Sequence, residues 1–496
     1  MTGPPALSGA ASLDPRTPVL VGVGAASSEA SAVELMTQAV LAAGSDAGAT
    51  TMLAAIDRIA VPQGSWSYPD PARMVAEGVG ARSARTHLFE LGIPQQAAIN
   101  DALAAIAAGR SEVAVVVGGE ARRWERDRAG SFGGRVEAGS TGTEPDVVHR
   151  RPGPLLEPVE TAHRLWEPVQ QYAMIDSALR SAEGQTLAGH RAEIAGLWSR
   201  FNLVAQDNPA AAFPERMSAT PIDTPSPSNR PLSFPYNKWH ASQWTVNQAA
   251  ALLLCSAEAA ARSGVPTDRW VFPLVGIESS HAVSLLRRRE PGAWPAMGAL
   301  ARAAAARIGR PVADTEIQEA YSCFPAAIRV QQRELGLDLI AAPTVTGGMT
   351  FAGGPFNNFV LQAMVPVIAR IRADPGALGM VTTVSGLLTK PGIGIWSARP
   401  DGQPPLVADL ADQAEAVTGL VGVVEELDGY AGEATIVTYT VTFDRMDPDR
   451  TIALCDTVDG RRCVAISTDT KLASHGIKNE LIGNRVRVDG GSFELL

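Results

Sequence analysis

Hydrophobic residues recur along the chain with two different spacings, and these spacings predict its regular elements. Within 95–108, Ile99, Leu103 and Ile106 share one face at helical spacing, which predicts an amphipathic helix. The next apolar stretch, 113–117, is uninterrupted and mostly β-branched. Such a run is typical of a strand buried on both faces in a parallel sheet that helices cover. The pattern therefore predicts an α/β protein.

The order of helix, glycine-rich turn and buried strand occurs twice, at 95–119 and again at 355–386. This weak internal repeat predicts two related α/β halves. We assign 18–120 and 241–262 to the first half and 263–400 to the second half.

Between these parts, the stretch 121–240 has a different character. Prolines and charges are frequent there, and its end, 224–231, holds too many prolines for regular structure. We interpret 121–240 as an inserted loop domain that lies over the main domain. The beginning, 1–17, is interpreted as a flexible arm because it lacks a charged leader followed by an apolar stretch.

The last part of the chain changes to alternating polar and apolar positions. Short strand patterns follow one another in 418–496, and Asp459-Gly460 is a typical hairpin turn. We expect a small all-β domain here, as a barrel or a sandwich, with an oligonucleotide/oligosaccharide-binding (OB-like) barrel preferred. The prolines and acidic residues of 401–417 predict a linker before it.

Composition narrows the function classes. The chain has 496 residues, more than one hydrophobic core usually serves, and a net charge of −10, which argues against general affinity for nucleic acid or anionic membrane. No stretch approaches the roughly 18 apolar residues of a membrane span. The four cysteines form no C-x-x-C pair, so we expect a reducing cytoplasm and no metal site.

Several glycine-rich or polar motifs stand in a recognisable order. The five segments are 97–120, 229–251, 319–324, 346–355 and 385–394. In this order they resemble the thiolase superfamily, in particular sterol-carrier-protein-type thiolases and thiolase-like proteins of actinobacteria, relatives of acetyl-CoA acetyltransferases. The resemblance covers about 18–400 and implies a layered αβαβα fold, to which the small β-domain is added.

Thiolase chemistry requires a cysteine thiolate at a helix N-terminus, assisted by a histidine or a second thiol. The resemblance puts Gly92 at the position of that nucleophile, Gly354 at the histidine and Ser385 near the second cysteine. Tyr321 takes the place of the asparagine or histidine of the third motif. No cysteine precedes Cys255, so a small shift of the alignment does not restore the nucleophile. We therefore predict that the standard cysteine mechanism is absent.

Three other side chains are candidates for altered catalysis, and each has a structural alternative. Cys323 is either a nucleophile or a small buried hydrophobe. His240 either faces the pocket or is a surface or core residue. Tyr321 either donates a hydrogen bond to a thioester carbonyl or plugs the pocket.

Four residues of the glycine-rich motif are candidates for ligand binding. Gly347, Gly348 and Gly353 permit close backbone approach, and by resemblance their loop lines the thioester site. Asn357 follows at an expected helix start, where backbone donors bind anions or carbonyls. The alternatives are tight packing between the two halves and ordinary helix capping.

Two functions remain open at this stage. The first is an acyltransferase-like enzyme of altered chemistry, with CoA or acyl-CoA as ligand and no tightly bound cofactor. The second is a non-catalytic scaffold or partner subunit in lipid and acyl-CoA metabolism, with another protein as its partner. We expect a monomer or a homodimer, the dimer by analogy with thiolases. Nucleic-acid binding by the barrel is not expected, because no aromatic-basic stripe is present.

Overall fold

The computed structural model describes residues 13–129 and 144–496. Most of the predicted arm, 1–17, and part of the predicted insertion therefore lie outside the described residues. The strands are β1 (Pro18–Ala26), β2 (Arg58–Pro62), β3 (Arg85–Phe89), β4 (Val113–Ala121), β5 (Val147–His149), β6 (Pro231–Ser233), β7 (Tyr236–Asn237), β8 (Asn247–Ser256), β9 (Phe272–Glu278), β10 (Ile317–Glu319), β11 (Leu378–Ser385), β12 (Lys390–Ser397), β13 (Leu406–Asp409), β14 (Glu426–Leu427), β15 (Gly432–Asp444), β16 (Asp447–Thr457), β17 (Arg462–Ser467), β18 (Arg485–Asp489) and β19 (Ser492–Leu495).

Helices alternate with these strands through most of the chain. They are α1 (Ala32–Asp46), α2 (Pro71–Val79), α3 (Gln95–Ala107), α4 (Arg122–Ala129), α5 (Pro158–Ala162), α6 (Pro168–Ala182), α7 (Leu187–Gln206), α8 (Ala219–Asp223), α9 (Ala257–Arg262), α10 (Pro295–Ile308), α11 (Pro325–Leu335), α12 (Gly348–Phe351), α13 (Phe359–Ala373), α14 (Ala411–Val421) and α15 (Thr470–Gly476). In the described ranges, no helix is both long enough and apolar enough to cross a membrane.

Two sheets form the centre of the molecule. The first has the order β1-β8-β4-β2-β3-β5 and the second β10-β11-β12-β9-β13. Strand β4 is buried along its whole length, as its apolar sequence predicted. It pairs with β2 in parallel but with β8 antiparallel, so the sheet is mixed rather than parallel.

Helices α3 and α13 lie between the two sheets, and each contacts strands of both. Helix α1 covers the outer face of the first sheet, and α10 packs on strands β9 and β12 of the second. These layers confirm the αβαβα arrangement. Helix α3 begins at the predicted residue, Gln95.

The C-terminal strands close into a small barrel. Strand β15 pairs with β16 and β18, β16 pairs with β17, and β19 joins β17 to β18. Helix α15 lies between β17 and β18 in the chain. The predicted OB-like barrel is thus a closed barrel of five strands.

Two features differ from the sequence-based expectations. The stretch 401–417 is not an unstructured linker, because it holds β13, which pairs with β9 at the edge of the second sheet, and most of α14. The prolines that suggested a linker stand just before the apolar residues of β13. The insertion also reaches further than expected, since its hairpin β6–β7 pairs with β15 of the barrel.

Candidate functional site

The loops that carry the motifs meet at the N-terminal ends of α3 and α13. Lys390 Nζ, at the start of β12, donates to the carbonyl oxygen of Gly92 at 2.8 Å. Gln95 Nε2 at the start of α3 donates to Asn357 Oδ1 at 2.6 Å. The residues just before the first motif therefore contact the last motif and the turn that follows the glycine-rich one. The fold brings together the positions that the sequence could only place in order.

Gly92 stands in the turn before α3, where the resemblance puts the nucleophile. Its φ is +97°, in the left-handed region that favours glycine. A Cβ atom at this position would overlap Cδ2 of Leu155, from the inserted segment. Any side chain at residue 92 therefore needs both a strained backbone and the displacement of Leu155.

Gly354 stands where the resemblance puts the catalytic histidine. Its N–H donates to the carbonyl oxygen of Gln243 at 3.0 Å. A Cβ atom there would overlap Ser242 Oγ, and at the neighbouring Gly353, with φ +104°, it would overlap the side chain of Gln248. The volume that an imidazole needs is filled by polar side chains of this chain.

Ser385 ends strand β11 and begins a constrained loop. Its carbonyl oxygen accepts a hydrogen bond from the N–H of Thr389 at 3.2 Å. Leu387 and Leu388 both have positive φ, and Arg288 Nη2 donates to the carbonyl oxygen of Leu388 at 2.8 Å. The buried guanidinium of Arg288 thus fixes the loop where the resemblance puts the second cysteine.

Tyr321 and Cys323 are both buried near the start of α3. The Tyr321 hydroxyl hydrogen-bonds the side chain of Gln95, and burial raises the pKa of Tyr321. Burial also raises the pKa of the Cys323 thiol to about 12, and this thiol contacts the hydroxyl of Tyr172. Cys323 is therefore a protonated thiol at neutral pH, which makes it a poor nucleophile.

His240 lies in the core, and the residues that follow it, Ala241 and Ser242, contact the glycine-rich motif. The side chain of His240 is fully buried, and its Nδ1 accepts a hydrogen bond from the N–H of Asn237 at 3.1 Å. Burial lowers the pKa of His240 to about 3, so the imidazole is neutral at physiological pH. Asp176, which counteracts this shift, is itself paired with Arg329.

The glycine pair Gly347–Gly348 packs closely against helix α7. Their φ values are +94° and +75°, and Cβ atoms there would overlap Ala205 and Phe201. This close approach is made to the inserted segment, whereas the packing alternative placed it between the two halves. The role of these glycines in ligand binding remains a prediction.

Glu319 was missed by the sequence reasoning, although it opens the third motif. Its carboxylate accepts hydrogen bonds from the N–H groups of Val345 and Thr346 and from the hydroxyls of Thr344 and Thr346. Burial raises the pKa of Glu319 to about 7. A buried acid in an otherwise apolar motif was the signal that could have revealed this anchor of the glycine loop.

Asn357 bridges three parts of the fold. It lies in a 3-10 turn, Phe356–Asn358, and not in the first turn of α13. Its Nδ2 donates to the carbonyl oxygen of Gln63 at 3.1 Å, and its Oδ1 accepts from Gln95. The capping alternative is not observed, because the N-cap of α13 is Asn358 and no side chain caps this helix.

A cleft of about 420 Å³ borders Gly92 and runs along α3. Asn100 and Asp101 line it from the helix, Lys390 and Glu278 from the ends of β12 and β9. Burial and the nearby Asp409 raise the pKa of Glu278 to about 8. Sequence reasoning did not single out these residues, because the two strand ends meet only in the folded chain.

A second group near this cleft has the composition of a metal site. His87, Asp101 and His149 place one ligand atom each within 4.8 Å of one another. Arg58 Nη1, however, lies 2.6 Å from Asp101 Oδ2 and 2.8 Å from His87 Nε2. The guanidinium of Arg58 already balances the negative charge of Asp101, so the cluster of His87, Asp101 and His149 does not fit a metal cation.

Comparison with solved structures agrees with this arrangement. A monomeric SCP2-thiolase-like protein type 1 from Mycobacterium smegmatis is 28% identical and superposes with a TM-score of 0.83, covering 98% of this chain and 100% of that chain. The chain belongs to the thiolase superfamily. Within this superfamily, its residues 412–491 match the family described as the thiolase-like protein type 1 additional C-terminal domain.

More distant structures share the thiolase fold alone. An acetyl-CoA acetyltransferase from Syntrophomonas wolfei is 18% identical with a TM-score of 0.54, covering 77% of this chain and 99% of that chain. An Ltp2-ChsH2(DUF35) aldolase is also 18% identical, with a TM-score of 0.57 over 78% of this chain and 99% of that chain. No curated protein sequence matches the chain.

Proposed function

We propose that this chain is a thiolase-like protein that does not carry out the cysteine-dependent thiolase reaction. The observation that carries the proposal is the state of residue 92, where a glycine of positive φ faces the side chain of Leu155. The protonated, buried thiol of Cys323 offers no substitute. Thiolysis and Claisen condensation by this route both need a thiolate, so both are lost.

We further propose that an acyl-CoA thioester remains its ligand. The cleft beside Gly92 supports this, because it opens next to the point where a thiolase holds the thioester. Arg150 stands at the rim of the cleft, and Arg151 Nη1 donates to the carbonyl oxygen of Leu91 just before Gly92. The acetyl-CoA acetyltransferase from Syntrophomonas wolfei has a related fold.

Two measurements on the purified protein test this function. Incubation with acetoacetyl-CoA and free CoA is expected to give no acetyl-CoA above a blank, and turnover at ordinary thiolase rates contradicts the proposal. Acetyl-CoA at millimolar concentration is expected to raise the melting temperature, since a ligand that binds only the folded state stabilises it. If neither CoA nor acetyl-CoA shifts the melting temperature, the proposed ligand is wrong.

A second function, a non-catalytic scaffold or partner subunit, is favoured by the way the barrel is attached. Strands β6 and β7 of the insertion extend its sheet, and Arg462 Nη2 donates to the carbonyl oxygen of Arg289 at 3.3 Å. The barrel is thus held against the thiolase-like part. Affinity purification from the source cell tests this role, which fails if no protein co-purifies reproducibly.

The oligomeric state that we propose is a monomer. Strand β5 covers the outer edge of β3 in the first half, the half through which thiolases usually associate. The Mycobacterium smegmatis protein of similar structure is described as monomeric. We keep the cytoplasm as the proposed location, which suits the four free, buried cysteines.

A further inference from the structure

Lys390 is unusual among the lysines of this chain. The four lysines are Lys238, Lys390, Lys471 and Lys478. Lys390 alone lines the cleft beside Gly92, and only 5% of its surface is exposed. A buried amine at the wall of a cavity is placed to meet a small ligand rather than bulk solvent.

The surroundings of Lys390 favour its neutral amine. Its Nζ makes one hydrogen bond, to the carbonyl oxygen of Gly92, and in the described part of the chain it has no ion pair. Burial lowers the pKa of Lys390, and the nearby Arg151 lowers it further. A lysine in such a place is a nucleophile, because the neutral amine carries the reactive lone pair.

Glu278 stands on the same face of the second sheet. Strands β12 and β9 are antiparallel, and Gly392 pairs directly with Glu278. Lys390 is two residues before Gly392, so Lys390 and Glu278 are diagonal neighbours, about 7–8 Å apart in such pairs. Both side chains line the same cleft. Glu278 Oε2 accepts a hydrogen bond from Asn100 Nδ2, which fixes the carboxyl group.

We propose that this cleft is a site for small aldehydes or ketones, in which Lys390 forms an imine with the carbonyl carbon and Glu278 is the proton donor. The other ionisable residues of the wall are Asp101, Asp409, His149 and Arg150, so acidic and basic groups both border the cleft. A small uncharged carbonyl compound such as propanal is therefore a suitable probe for Lys390.

The step balances without any further reactant. The lone pair of Nζ attacks the carbonyl carbon, the carbon–oxygen π bond breaks, and the oxygen takes the proton of Glu278. The carboxylate then removes a proton from nitrogen and returns it to the hydroxyl group, which leaves as water. The product is an iminium ion beside the Glu278 carboxylate. The inference goes beyond the proposed function, because neither a thioester nor CoA takes part.

Reductive trapping tests this site. The full-length protein is incubated with increasing propanal and sodium cyanoborohydride, and the labelled lysines are located by peptide mass mapping. Labelling at Lys390 is expected to saturate with propanal concentration, while the exposed Lys471 and Lys478 react in proportion to it. An unlabelled Lys390, or one whose labelling rises only in proportion to propanal, overturns the proposal.

Two variants sharpen the experiment. Lys390→Arg keeps a cation that can donate to the carbonyl oxygen of Gly92 but cannot form an imine, and it is expected to lose the saturable label. Glu278→Gln keeps an oxygen for Asn100 but removes the acid, and it is expected to slow labelling of Lys390. Melting temperatures establish that both variants fold. Saturable labelling that persists in Lys390→Arg, or a Glu278→Gln rate equal to wild type, contradicts the assigned roles.

Discussion

At the scale of single residues, the candidate site is defined by the side chains that surround Gly92 and Gly354. Leu155 occupies the space beside Gly92, and Ser242 occupies the space beside Gly354. A cysteine at residue 92 or a histidine at residue 354 would need the volume that these neighbours occupy. Introducing either residue alone is therefore not expected to produce a catalytic site.

Gly92→Cys is expected to be destabilised by two separable effects. Positive φ costs a non-glycine residue about 1–3 kcal/mol, and the overlap with Leu155 adds to this. Gly80→Cys is a matched control, since Gly80 has φ +82° with no atom near its Cβ position. Urea unfolding should show a greater loss of unfolding free energy for Gly92→Cys than for Gly80→Cys. Adding Leu155→Ala to Gly92→Cys should recover part of this loss. Equal losses at the two glycines contradict the packing of Leu155.

Glu278 gives the protein a defined dependence on pH. Its pKa is about 8 in the folded chain, above the ordinary 4.5, so the folded state holds the proton more tightly. This contribution to stability is complete below pH 4.5 and is lost as the pH rises through 8. Glu278→Gln should therefore gain stability relative to wild type between pH 5 and 8 in urea unfolding. If the difference in unfolding free energy between Glu278→Gln and wild type stays constant from pH 5 to 8, Glu278 is not a buried, protonated group.

At the scale of elements, the long buried segments could be predicted from sequence and the short edge segments could not. Strand β4 and helix α3 follow from their own apolar patterns, a β-branched run for the strand and a helical spacing for the helix. Strands β5 and β13 have only three and four residues, and each exists because a longer strand offers it an edge. Because the pairing of these strands depends on the tertiary structure, the sequence of 401–417 indicated only a linker.

Strand β5 is expected to keep the molecule monomeric. It pairs in parallel with β3 and closes an edge that would otherwise offer unpaired backbone groups to a second molecule. Val148→Pro should detach β5, because proline lacks a donor, and should produce concentration-dependent association in light scattering. Val148→Ala keeps the backbone donor and should remain monomeric. A monomeric Val148→Pro protein, or a dimeric wild type, contradicts this account.

At the scale of the whole molecule, the motif order predicted which loops would meet but not what lies between them. The order of five motifs located the convergence of α3, α13 and the β11–β12 loop. The motif order could not reveal that Leu155 packs against Gly92 or that Lys390 donates a hydrogen bond to it. These two contacts join segments about 60 and 300 residues apart in sequence. Side-chain contacts across such distances depend on the folded core.

The barrel and the thiolase-like part are expected to unfold together. Ile452, Leu454 and Val464 of the barrel belong to the same hydrophobic cluster as the second sheet, and buried Arg180 pairs with Glu480 at 2.7 Å. Glu480→Gln should cost roughly 1–2 kcal/mol, since the partly exposed carboxylate neutralises a buried cation. Glu258→Gln, on an exposed side chain, is the control. Separate transitions for the two parts in calorimetry contradict a shared core.

The central claim is that no thiol of this chain attacks a thioester. Its most direct test is to incubate the protein with acetoacetyl-CoA or acetyl-CoA, quench in acid, and search by mass mapping for an acetyl group on Cys255, Cys323, Cys455 or Cys463. The account predicts no acetylated cysteine above a heat-denatured control. An acetyl group on Cys323 that forms in the native protein and disappears on adding CoA would contradict it.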